Sequence, residues 1–228
     1  MHIDVLTLFC EMFPSVLGAS ILGRALENKL LSVETHDIRS YAENKHHRVD
    51  DYAFGGGTGL VMMPQPIFSA IRDIDPDHKA RRIYMSPQGK PLDDARVRAL
   101  AKEENIVILC GHYEGVDQRI IDEIVDEEIS IGNFVLTGGE IPACILVDAV
   151  SRLVPGVLSA DECFESESIA CGMLEYPQYT RPYEFHGVKV PDVLISGHHA
   201  NIEKWRYEKA LEMTMKMRPD LLSGEGDN

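Results

Sequence analysis

The chain has 228 residues, 44% hydrophobic and 26% charged, a composition that excludes disordered, collagen-like and low-complexity chains and fits a globular protein. At roughly 100 to 200 residues per domain, the length accommodates one large domain or one domain with a small appendage. Twenty-two basic against 37 acidic residues leave a net charge of −15, which as a sum argues against a polyanionic partner.

HIDVLTLF opens the chain as a strand entering a buried sheet, and MFPSVLGASILGRALENKL (residues 12–30) follows with apolar residues at helical spacing. The alternation then recurs. LLSVETHDI reads as a strand, PQPIFSAIRDI as a helix, RRIYMS as a strand, LDDARVRALAKEE as a helix opened by two aspartates, and NIVILC as a third buried strand. GVDQRIIDEIV is a shorter helix, EEISIG a strand, and EIPACILVDAVSRLV a helix apolar nearly all round, hence covered on more than one side. Such alternation predicts an α/β layer with a mostly parallel sheet over residues 1–158. Residues 159–172 (SADECFESESIACG) are acidic and Ser-rich without a period and read as an exposed interdomain linker. Residues 173–228 read as a small, mainly helical second domain: YPQYTRP is turn-rich, VPDVLISG is a short strand, and HHANIEKWRYEKALEMTMKM is a charged helix with Ile202, Trp205 and Ala210 on one stripe.

No stretch is continuously apolar over the roughly 20 residues a membrane span requires, and MHIDVLTLF lacks a basic lead-in and a small-residue cleavage site. The cytoplasm is the expected location. The five cysteines include no C-x-x-C pair, and the nine histidines show no H-x-x-x-H or H-E-x-x-H spacing, so neither a disulfide framework nor a metal motif is expected. Charge is unevenly spread. Acids crowd DEIVDEE and DECFESE whereas KHHR and KARR are basic, and a local cationic face is compatible with the negative total.

FGGGTGLVM places four glycines in residues 55–59, with no strand expected directly before it. It is neither a Walker A loop, which needs G-K-[ST], nor the G-x-G-x-x-G of a dinucleotide fold. A flexible surface loop and a ligand loop both fit it, since glycine lets the backbone approach a flat or charged group. SPQGKPL, GHYEGVDQR and GNFVLTGGE each follow a predicted strand. Ligands of open α/β sheets bind at the carboxyl ends of strands, so the three either converge on a pocket or are three tight turns.

RVDDYAFGGGTGLVM, YMSPQGKPL, ILCGHYEGVDQR, EISIGNFVLTGGEIPA, VSRLVPGVL, GMLEYPQYTRP and VPDVLISGHHANIEKWR together resemble the bacterial tRNA (guanosine(37)-N1)-methyltransferases of the TrmD family, in the SPOUT class. The likeness covers nearly the whole chain. It implies a SPOUT α/β domain with a C-terminal trefoil knot, followed by a linker and a helical tRNA-binding domain; periodicity alone argues for no knot. It also implies S-adenosyl-L-methionine as cofactor, held largely by backbone groups. On this sequence those groups belong to Tyr84, Met85, Ser86 and Pro87, to Gly111, Tyr113, Glu114 and Gly115, and to Ile131, Gly132, Asn133, Phe134, Val135, Leu136, Gly138, Gly139 and Pro142.

The implied reaction puts a methyl group on N1 of guanosine-37 of tRNA, next to the anticodon. N1 carries a proton at neutral pH, so a positioned carboxylate must remove it. The family's base is an aspartate in a D-S-F/Y stretch of the linker; the matching residue here is Glu167 in ESESI, with Glu165 next in line. Glutamate keeps the carboxylate and lengthens it by one carbon, roughly 1.5 Å. Arg152 matches the family arginine beside the reacting guanine, where a guanidinium stabilises charge developing at O6. Glu114 matches a position beside the cofactor, and the resemblance carries a magnesium ion as well. His112 and His198 stand where many relatives have Arg and Asn. For the RNA, Gly55, Gly56 and Gly57 are expected to approach the guanine, Asp50 to flank them, and Arg48 and Arg181, with Lys45, Lys204 and Arg206, to meet phosphates. The family also implies a homodimer with each pocket shared between subunits. A non-catalytic RNA-binding homologue is the alternative that the Glu167 departure raises, and a structural dimer holding only a small molecule is a third.

Overall fold

The computed structural model describes residues 1–158 and 172–223. The chain divides into two compact units, Met1–Ser159 and Ala160–Asn228.

In the first unit the apolar runs form one five-stranded sheet of β1 (His2–Thr7), β2 (Ser32–Asp37), β5 (Arg81–Pro91), β6 (Asn105–Cys110) and β7 (Glu127–Ser130), ordered β2-β1-β6-β5-β7. All four pairings are parallel, as strands separated by helical crossovers must be. Successive side chains point to opposite faces, so NIVILC sends Ile106, Ile108 and Cys110 to one core and Val107 and Leu109 to the other. The first core is closed by Leu17 of α1 (Pro14–Leu17), Leu22 of α2 (Ser20–Glu27), Val97 and Leu100 of α4 (Asp94–Leu100), and Ala143, Leu146, Val147 and Val150 of α6 (Glu140–Ser151). The second is closed by Ile67, Ala70 and Ile71 of α3 (Pro64–Ile74) and by Ile120 and Ile124 of α5 (Gln118–Ile124). Burial on both faces explains why these strands read as continuous apolar runs.

Local chemistry fixes the helix starts. Asp93 accepts from Arg96 N at 2.7 Å and Asp117 from Arg119 N at 3.0 Å, each satisfying an otherwise orphaned donor. A buried pair ties α3 to β5: Arg82 donates from Nε to Asp75 Oδ2 at 2.8 Å and from Nη2 to the Asp75 carbonyl at 2.7 Å.

Several expectations are corrected. The helix expected over residues 12–30 is two, α1 and α2, because Gly18 caps the first turn and Ala19 is extended. A strand does precede the glycine loop: β3 (Asp50–Tyr52) pairs antiparallel with β4 (Leu60–Met62). Its polar, exposed residues give no alternating signal. RRIYMS continues to Pro91. VPDVLISG is not a strand but contains a helical turn, α7 (Asp192–Ile195), after Pro191, and proline followed by an acidic residue is a helix-start signal.

In the second unit, β8 (Glu184–Phe185) and β9 (Val188–Lys189) form a hairpin whose turn, His186 and Gly187, has φ of 48° and 78°, the left-handed pair that a tight hairpin demands. The long helix α8 (His199–Met217) is followed by α9 (Asp220–Ser223). α8 buries Ala210 and Thr214, and Thr214 Oγ1 accepts from Leu174 N at 2.9 Å. Trp205 packs between Tyr176 and Tyr179, with ring centroids 6.5 and 6.3 Å away. No helix among the described residues is long and apolar enough to cross a membrane.

Tyr84 of β5 lies in the second core, and burial, followed by the nearby Glu128 charge, pushes its phenol up to about 12. A raised folded-state value means that its stabilising contribution is full below the unfolded value near 10 and is lost as pH rises through about 12. Chemical denaturation across this range is expected to show a decline in stability between about pH 10 and pH 12 that is shallower in Tyr84→Phe, by up to about 2 to 3 kcal/mol.

Candidate active site

The adjacent strands β6, β5 and β7 end side by side, and the three segments singled out in the sequence leave from those ends. The first is an arch inside β5. Met85 and Lys90 both pair with Ile129 of β7, so residues 86–89 must loop out between them, and Gln88 N donates to Ser86 Oγ at 3.1 Å. The second follows Cys110. Glu114 N donates to Leu60 O at 3.0 Å, Met62 N to Gly115 O at 2.9 Å and Asp117 N to Met62 O at 3.1 Å, so the β3–β4 hairpin is laid along this segment. In the third, Ser130 Oγ donates to Gly132 O at 3.0 Å and Gly139 N donates to Gly111 O at 2.8 Å. Gly139 has to be glycine: a Cβ would stand 2.7 Å from Cys110 Cα and 2.9 Å from Gly111 N, closer than packed atoms tolerate.

Between the three lies a cavity of about 350 Å³, within the range of small-molecule sites. Tyr84, Met85, Ser86, Pro87, Gly111, Tyr113, Glu114, Gly115, Ile131, Phe134, Val135, Leu136, Gly138, Gly139 and Pro142 line it; Gly132 and Asn133, expected with them, do not. Sequence reasoning missed Gln88, Gln118, Ile121, Glu128 and Ser130. Gln118 and Ile121 stand three apart on one face of α5, a spacing that flags them once the helix is seen to start at the cavity. The lining carries the carboxylates of Glu114 and Glu128 and contains no Lys or Arg among its described residues. A cationic ligand with flat, partly apolar surface suits it, and a phosphorylated one does not.

Two further groups set the rigidity of this edge. Glu140, unassigned in the sequence, is buried at the start of α6 and accepts from Thr7 Oγ1 at 2.8 Å, an anion at a helix N-terminus that pins α6 to the end of β1. Cys110 is fully buried, and burial first, then the Glu140 charge, holds its thiol well above the ordinary range.

The remaining candidates are not gathered here. Gly55, Gly56 and Gly57 form an open loop with φ of 87°, 81° and 128° and nothing within 4 Å of an added Cβ. The base of that loop does reach the cavity edge: Gly59 lies against Glu114, where a Cβ would be 2.5 Å from Glu114 Cγ. Arg48 is exposed, donates to Asp50 O at 3.3 Å and pairs with Asp51 at 3.7 Å. Lys45 and Arg181 are exposed; Lys204 pairs with Glu208 and Arg206 with Glu203 along α8. Arg152 caps the far end of α6, ten residues beyond Pro142 of the cavity lining, which puts it about 15 Å along the axis from the cavity at 1.5 Å per residue. Glu167 and Glu165 lie outside the described residues. Glu114 belongs to no cluster of three or more metal-ligating side chains among the described residues.

A sequence profile of the family described as tRNA (Guanine-1)-methyltransferase TrmD matches residues 1–224. A protein of Ruminiclostridium cellulolyticum named tRNA (guanine-N(1)-)-methyltransferase is 57% identical over 225 residues, covering 98% of this chain and 97% of its own length. Proteins of the same name from Alkaliphilus oremlandii and Staphylococcus aureus are 57% and 52% identical, each across 97% of this chain and 92% and 91% of their own lengths. A loop-lined cavity at the exits of a parallel sheet, without Lys or Arg among its described lining residues, and a match over almost every residue, lead to one conclusion: the chain belongs to the TrmD family of tRNA (guanine-1)-methyltransferases.

Proposed function

We propose that this protein is a methyltransferase that uses S-adenosyl-L-methionine to methylate N1 of guanosine-37 in tRNA. The observation that carries the reading is the cavity at the ends of β5, β6 and β7, whose described lining holds the carboxylates of Glu114 and Glu128, the imidazole of His112 and no Lys or Arg. A sulfonium donor is cationic and has no pyrophosphate, so this lining suits it, and the lack of a dinucleotide glycine motif follows from the same chemistry. When bound there, the donor supplies an electrophilic methyl group.

The chain's own residues do the rest. Glycine-rich backbone at 111, 115, 138 and 139 holds the ligand edge-on without side chains in the way. Tyr84, its phenol raised to about 12 by burial, stays neutral at the wall of the site. Glu167 takes the N1 proton of the guanine as the new bond forms, and Arg152 offsets the negative charge that gathers at O6. The glycine loop at residues 55–57, open and next to Glu114 through Gly59, receives the base, which must leave its stack to react. Arg48, Arg181, Lys45, Lys204 and Arg206 meet phosphates. Three of them already sit in exposed ion pairs, which are weak enough to be exchanged for phosphate oxygens.

Arg152 and the cavity are too far apart to act together within one copy, which supports a homodimer whose site is completed by Arg152 of the partner subunit. Exposed apolar groups support the same assembly: Ile141 and Ile145 of α6 are 51% and 43% exposed, and Met12 and Val16 are exposed on the neighbouring segment packed against α6. The tie from Gly139 N to Gly111 O, which folds the segment after β7 back over the exit of β6, supports a SPOUT domain with a trefoil knot over residues 1–158. Residues 159–172 then serve as linker and residues 173–228 as the tRNA-binding domain of a cytoplasmic enzyme. Magnesium does not fit a protein cage here: Glu114 is a single exposed carboxylate, and no step is routed through the ion.

Incubated with a tRNA transcript and labelled donor, the protein is expected to yield N1-methylguanosine, and no product once guanosine-37 is replaced; a ribose 2′-O-methyl product would overturn the assignment. Glu167→Gln should lower kcat by about 10²- to 10⁴-fold, the usual worth of a general base, while Glu167→Asp retains most of it; a fully active glutamine variant removes Glu167 from the mechanism. Gly139→Ala should lose donor binding measured by calorimetry. Co-refolding Gly139→Ala with Arg152→Ala should restore activity, because one site of a mixed dimer then carries neither defect, whereas a site contained in one chain stays dead.

A further inference from the structure

Away from that cavity, the other edge of the sheet gathers four metal-ligating side chains that the methyl transfer does not use. β1 and β2 run parallel with Asp4 opposite Glu34, Leu6 opposite His36 and His2 opposite Ser32. With a period of two, His2 and Asp4 leave the same face of β1 as Glu34 and His36 leave β2. The donor atoms of Asp4, Glu34 and His36 all lie within 4.8 Å of one another. His36 Nε2 stands 2.6 Å from Asp4 Oδ1, and His2 Nε2 stands 3.1 Å from Asp4 Oδ2. The cluster opens into a second cavity of about 530 Å³ that shares no residue with the first.

We propose that Asp4, Glu34 and His36, with His2 as fourth donor, form a site for a divalent transition-metal ion of the zinc class. The charge favours it: two carboxylates sit together with imidazole nitrogens 2.6 and 3.1 Å from Asp4, a donor set whose negative charge a divalent ion offsets. The only Lys or Arg among the described residues lining this cavity is Lys79, already held by Asp77 at 2.8 Å. The burial favours it too. Asp4 is 7% exposed and faces the imidazoles of His2 and His36; a buried carboxylate is costly unless it is paired or coordinates a metal. Imidazole with carboxylate selects zinc, cobalt or nickel over magnesium and calcium. Ion–donor bonds of 2.0–2.1 Å put tetrahedral donors about 3.3 Å apart, so Asp4 and His36 open slightly and the exposed Glu34 closes in, movements of side chains alone. An outer partner is in place as well: Ser32 Oγ lies 2.6 Å from His2 Nδ1, which leaves Nε2 aimed at the site, as ligating histidines require. The ion would clamp β2, the edge strand, to β1 and takes no part in the reaction, so the site stands or falls independently of the methyltransferase reading.

Chelator-stripped full-length protein titrated with cobalt(II) tests the site. One tight ion per chain is expected, with the d–d spectrum of a four-coordinate nitrogen–oxygen site, and zinc should displace it and raise the thermal midpoint. His36→Ala should weaken binding at least 10-fold; Glu34→Gln, at an exposed position where misfolding is not a concern, should weaken it about 10-fold and leave methylation unchanged. Unchanged affinity in Glu34→Gln, a thiolate-to-cobalt charge-transfer band, or only the spectrum of the hydrated ion would each overturn the proposal.

Discussion

The parallel pairing of β5 with β6 on one side and β7 on the other is the constraint on which the cavity rests. Parallel strands start at the same edge and so must finish at the same edge. Every segment that leaves β5, β6 or β7 is thereby delivered to one rim. The irregular pairing of Met85 and Lys90 with the same residue, Ile129, turns part of β5 itself into a loop and opens the space the other two segments enclose. The approach of Gly139 to Cys110 then draws the start of α6 against that rim. Two apolar cores, one per face, hold the strands in register beneath it, so the rim is set by packing far below it rather than by the loops alone.

The electrostatics divide by location. A chain of net charge −15 is a poor general polyanion binder, and its cavity, carrying two carboxylates and no Lys or Arg among its described lining residues, is suited to a positively charged small molecule. The cations proposed to meet RNA lie elsewhere, and several are already engaged by neighbouring acids. Such surface pairs are screened and easily broken, so the proposed RNA contact is an exchange of partners rather than the filling of a bare positive patch.

Much of this layout is legible in the sequence because burial writes a plain signal. NIVILC and RRIYMS read as strands since both faces are covered, PQPIFSAIRDI reads as a helix with the bounds that α3 has, and the aspartates ahead of α4 and α5 mark their starts. Where burial is slight, the signal fades: β3 and the β8–β9 hairpin are short and largely exposed, and the turn after Pro191 is too brief for a period to appear. Most of the cavity lining was available from the family resemblance. Glu128, Ser130, Gln118 and Ile121 were not, because they arrive through register and helix phase that only the fold supplies. The distance from Arg152 to the cavity was illegible for the same reason: residues close in a motif list can occupy opposite ends of one helix.

The burial of Cys110 has a protective side. A reagent that hands over methyl groups endangers any soft nucleophile near it, and thiolate is the softest a protein carries. Cys110 ends β6 immediately before Gly111, which borders the cavity, yet it is wholly covered and kept in its protonated form. Cys144 on α6 is likewise held above its ordinary value by burial and by Glu140. Sulfur can therefore serve as filler beside the proposed methyl donor without being consumed by it.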